Sequence, residues 1–183
     1  MIRIAVPFRQ PLHLCDILAD SLMPFGHVYT DRSASDGDFP SDNDAPSFFI
    51  HRLACSEQPD ARFALLAAVD LPSGVRTLSP AYHTKLVLSS GSNRLRRALV
   101  GSPCASVFCG TSAADTITLS SNCDNRLWLS VQRSISTLDG DVIDPCELVV
   151  HTRADMHAAM VTAAVMLMCG CPMRNGGYWV GEG

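Results

Sequence analysis

The chain has 183 residues, 47% of them hydrophobic and 17% charged, with a formal net charge of −4. This balance suits a folded core and excludes wholesale disorder, and the acidic sign leaves a general nucleic-acid-binding role without electrostatic support. Eight cysteines behind a start that lacks a signal-peptide pattern point to reduced thiols in a cytoplasmic setting.

The length most simply makes one globular domain over 1–183. Lys85 is the only lysine, and Glu57, Glu147 and Glu182 are the only glutamates. Lysine and glutamate are the usual residues of exposed helix faces, so their scarcity predicts strand and loop rather than exposed helix.

Residues 2–8 read as an inner strand, and Pro11 opens a helix through about Leu22, with Leu14, Leu18 and Leu22 one turn apart. A short strand follows at 27–30. Residues 31–46 alternate Asp36, Asp38, Asp42 and Asp44 with Gly37, Pro40 and Pro46, the composition of a mobile acidic loop. The aspartates lack the closing glutamate of an EF-hand. Strands are expected at 47–53, 84–89 and 105–109, while residues 62–71 are apolar in a way that fits either a strand or a short helix. Residues 93–100 read as a short basic helix stopped by Gly101. Alternating patterns at 116–119 and 126–132 predict a hairpin, and Asp139-Gly140 a second tight turn. A strand at 147–151 then feeds the organising element of the chain.

That element is a helix at about 152–169, with Thr152 and Asp155 at its start and Gly170 and Pro172 beyond its end. From Ala158 to Met168 its only polar side chain is Thr162, so it must be covered on all sides. The unbroken apolar run is shorter than the roughly 20 residues a bilayer core needs, so no membrane association is expected. After it, Asn175-Gly176 turns the chain into a short edge strand at 178–180. The whole pattern predicts an α+β fold: a mixed or largely antiparallel sheet with a buried, Ala/Met-rich C-terminal helix across it.

Two stretches carry candidate chemistry. In Ser89-Ser90-Gly91-Ser92-Asn93 a strand runs into a helix start through small residues that let an anion approach the backbone. Arg94, Arg96 and Arg97 add forked donors suited to phosphate or carboxylate. The loop matches neither a Walker A sequence nor a dinucleotide-binding glycine pattern, and ordinary capping also uses such residues. The second stretch is Cys109, at a strand end ahead of glycine and hydroxyls, as a nucleophile; His83 or His151 would be its base and Asp115 would orient that histidine. The cysteine and histidine spacings do not match a zinc site, and nothing in the sequence names a cofactor. His157 is expected to satisfy a local hydrogen bond. The resulting expectation is a small cytoplasmic enzyme or ligand-binding domain for an anionic metabolite, phosphorylated ones included, held by residues 89–97. The alternative is a non-enzymatic subunit, such as a viral accessory protein, forming a homo-oligomer through the 152–169 helix or an edge strand.

Overall fold

The computed structural model describes residues 1–7, 13–31, 47–54, 58–71, 75, 77–99 and 101–181. Residues 32–46 of the predicted acidic loop, and the expected helix opening at Pro11, lie outside them.

In chain order the elements are β1 (Ile2–Pro7), α1 (Leu14–Leu22), β2 (His27–Thr30), β3 (Ser47–Leu53), β4 (Leu65–Ala68) and β5 (Lys85–Ser89). Next come α2 (Asn93–Ala98), β6 (Ser106–Gly110), β7 (Ile117–Cys123), β8 (Arg126–Val131), β9 (Ile135–Ser136) and β10 (Val142–Ile143). The chain closes with β11 (Glu147–Thr152), α3 (Met156–Met168) and β12 (Tyr178–Val180). Ten of the described strands form one sheet in the order β12-β11-β8-β7-β6-β5-β4-β1-β3-β2, and β9 and β10 pair apart.

The fold is α+β with a mixed sheet. Its pairing is mainly parallel: only β8 runs against its two neighbours, β7 and β11. The antiparallel character visible in the sequence is thus local to the β7–β8 hairpin, whose turn residues Asp124 and Asn125 both have positive φ, as a tight primed turn requires. Residues 62–71 resolve in favour of a strand, because β4 is fully buried between β1 and β5.

The apolar runs of β1, β4 and β5 are continuous because both faces of these strands are covered. Side chains alternate across a sheet. Ile4, Val6, Leu65, Ala67 and Val87 therefore share one core with α1 and α3. Ala5, Leu66, Ala68, Leu86 and Leu88 face a second core that includes Leu95 and Ala98 of α2.

The C-terminal helix is where the sequence places it, with a shorter start. Thr152 ends β11, and Asp155 is the N-cap, its carboxylate accepting from the amides of His157 at 2.8 Å and Ala158 at 3.2 Å. Gly170 beyond the helix has φ +69°, the left-handed conformation that ends helices. Every residue from Ala158 to Met168 is buried. α3 packs on β4, β5, β6 and α1, so its first turn stands over the carboxyl end of β5. No helix among the described residues is long and apolar enough to cross a membrane.

Candidate ligand-binding site

Parallel strands direct all their carboxyl ends to one side of a sheet, and the loops that leave those ends are where open α/β sheets bind ligands. Here the loops after β4 and β5, together with the first turn of α3, enclose an open cleft of about 440 Å³. Val69, Asp70, Ser89, Gly91, Ser92, Asn93, Arg94 and His157 line it.

The chain builds this cleft from a small number of hydroxyl contacts. Ser92 caps α2: its Oγ accepts from the Leu95 amide at 3.3 Å and donates to Asp70 Oδ1. That contact ties the loop after β5 to the end of β4. Ser89 Oγ accepts from the Gly91 amide at 3.4 Å and lies 3.1 Å from Nδ1 of His157, which ties the same loop to α3. Asn93 and Arg94 are exposed and remain on the open side.

Behind the cleft, Ser90 turns away and donates to Asp115 Oδ2 at 2.7 Å. Asp115, 1% exposed, also accepts from the Ser112 amide at 3.0 Å and from Arg96 at 3.3 Å. The Arg96 guanidinium lies 5.3 Å from the Phe108 ring centroid. A Cβ on Gly110 would overlap Ser90 Oγ and stand 2.6 Å from Asp115 Oδ2; glycine is required there because two side chains occupy the space.

Of the residues expected to bind a ligand, the structure gathers Ser89, Gly91, Ser92, Asn93 and Arg94 around one cleft. Ser90 and Arg96 support the loop from behind, and Arg97 is on α2 but outside the lining.

The expected catalytic group does not assemble. Cys109 is fully buried in the core beneath α3. Burial, and then the charge of Asp115, push its thiol well above the ordinary range, the opposite of what a thiolate nucleophile needs. His83 precedes β5, at the amino end of the sheet, where its Nε2 meets the Ala61 carbonyl at 2.8 Å. His151 is on β11 and stacks on Trp179 with ring centroids 4.3 Å apart. Asp115 holds a serine and an arginine in place of orienting a histidine. Among the described residues no His, Cys, Asp and Glu group is arranged to hold a metal ion, and the seven described cysteines are free.

Two polar lining residues, beside the apolar Val69, lie outside the sequence-based set. Asp70 had a readable signal, a lone carboxylate directly after a buried strand, which places it at the carboxyl edge. His157 had almost none: its partner Ser89 is 68 positions away, and the expected local hydrogen bond is made by its backbone amide alone.

No protein-family model and no curated protein matches the sequence. Among solved structures, this chain is similar to a murein peptide ligase from Psychrobacter arcticus 273-4, with 11% sequence identity and a TM-score of 0.56. The match covers 92% of this chain and 44% of the ligase, so the chain spans less than half the length of that enzyme. At this identity the likeness is one of fold.

Proposed function

We propose that this chain is a ligand-binding domain whose cleft at the carboxyl ends of β4 and β5 takes a small oxyanion-bearing metabolite, phosphorylated or carboxylated. The observation that supports this most is convergence. Arg94, Asn93 and His157 come from two helices and line one open cleft with the serine-rich loop, and such polar groups around a concavity are what fix a small ligand. A forked guanidinium suits an oxyanion. Asp70 shares the cleft, so the ligand presents more than bare negative charge.

Binding is favoured over catalysis by Ser89. Its hydroxyl is within reach of an imidazole, as a serine nucleophile would be, yet the residue is 1% exposed and orients the ring from behind. The likeness in fold to a ligase domain is compatible with a ligand-binding role. Calorimetric titration with inorganic phosphate and acetate tests the reading. Saturable binding to the wild type, weakened about tenfold in Arg94→Ala, is the expected outcome; equal binding by both proteins rejects the site.

A second reading, assembly with a partner or a second copy, draws on a different surface. Ala158 to Met168 of α3 are buried within this chain, which argues against the helix as a route. The edge strand remains: Trp179 on β12 and Trp128 on β8 are 42% and 43% exposed. A concentration-dependent mass abolished by Trp179→Glu would support it.

A further inference from the structure

We infer that His157 is held in its Nε2–H tautomer and donates that hydrogen to the oxyanion in the cleft. The ligand half of this inference rests on the reading above; the tautomer half rests on geometry alone.

The geometry runs through Ser89. Its Oγ is 3.4 Å from the Gly91 amide, which can only donate, so the hydroxyl accepts there. A serine hydroxyl carries one hydrogen. Nδ1 of His157, at 3.1 Å, is the acceptor for it among the described residues. A neutral imidazole that accepts at Nδ1 carries its proton on Nε2. Asp155, the nearest carboxylate in sequence, accepts through Oδ1 from the amides of His157 and Ala158, while the ring pairs with Ser89.

Nε2 lies beside Gly91, which lines the cleft together with His157. A Cβ on Gly91 would stand 3.3 Å from His157 Cε1 and 3.7 Å from Nε2, so the edge of the ring that bears Nε2 lies along the loop that lines the opening. In this tautomer the ring offers a hydrogen in place of a lone pair. It recognises an acceptor, such as a phosphate or carboxylate oxygen, and does not take up a proton from a ligand. Ser89 is then a positioning residue, and the burial of its hydroxyl serves to keep the ring's polarity fixed.

Two measurements on the full chain test this. The first is a long-range ¹H–¹⁵N correlation spectrum of the imidazole, recorded where its nitrogen shifts report the neutral ring. A protonated Nε2 and bare Nδ1 are expected, with the preference weakened in Ser89→Ala. A wild-type ring protonated on Nδ1 overturns the inference whatever the binding data show. The second compares His157→Gln, whose amide can reach the place of Nε2, with His157→Asn, whose amide mimics Nδ1. Phosphate affinity should fall no more than a few-fold in the glutamine variant and at least about tenfold in the asparagine variant, the latter a loss of about 1.4 kcal/mol. Equal losses, or a larger loss in His157→Gln, overturn the donor role. If the wild type binds neither phosphate nor acetate while Nε2 carries the proton, the proposed function and ligand contact fail and the Ser89–His157 relay stands.

Discussion

The Ser90 hydroxyl donates to Asp115 Oδ2 at 2.7 Å across the face of Gly110. This one contact joins the turn after β5 to the loop after β6, and Arg96 adds α2 to the same carboxylate. The cleft is therefore backed by a packed polar cluster, with no side-chain volume to spare at position 110.

Gly110→Ala should destabilise the chain by about 1–3 kcal/mol, the usual cost of overpacking. Chemical denaturation gives the value directly. Removing the obstructing hydroxyl in Ser90→Ala should relieve part of the clash, so the double variant should lose less than the sum of the two single variants. Additive losses would show that Ser90 and position 110 do not share that space.

The Thr162 hydroxyl is buried in α3 without a hydrogen-bond partner among the described residues. An unsatisfied buried hydroxyl is costly, and valine has nearly the same shape. Thr162→Val should therefore raise stability by about 1 kcal/mol. The next residue, Ala163, is fully buried, and Ala163→Leu should lower stability by about 1–3 kcal/mol. An Ala163→Leu protein as stable as the wild type would mean that α3 has open space beside it.

Alkaline pH should unfold the protein through its buried thiols. Burial pushes Cys171 up to about 11 from 9.0 and raises Cys109 further, with Asp115 adding to it. The folded state then holds protons that the unfolded state releases. This contribution to stability is fully present below the ordinary thiol value of 9.0 and is lost as pH rises through the folded values. Denaturation midpoints should fall across that window, less steeply in Cys171→Ala. Midpoints that rise there would contradict the assignment of Cys171 as a buried thiol.

The elements were more legible than their arrangement. The apolar run from Ala158 to Met168, ended by Gly170, announces a helix covered on every side, and period-two patterning around Asp124-Asn125 announces a hairpin. Both are local signals. The parallel pairing of β1, β3, β4, β5 and β6 is not local, and the patterns of a buried parallel strand and a buried helix segment overlap, as residues 62–71 illustrate. The same limit applies to the cleft. The Ser89–Arg94 loop is contiguous and could be found by inspection. His157 reaches it only because α3 crosses back over β5, and Cys109 is fully buried because the face of β6 it occupies is the one α3 covers.

The most direct test of the central claim is a backbone ¹H–¹⁵N correlation spectrum recorded while inorganic phosphate is added. The account predicts saturable shifts confined to Asp70, Gly91, Ser92, Asn93, Arg94 and the first turn of α3. Shifts centred instead on Tyr178 and Trp179, or uniform weak changes with no saturation, would contradict an oxyanion site at the carboxyl ends of β4 and β5.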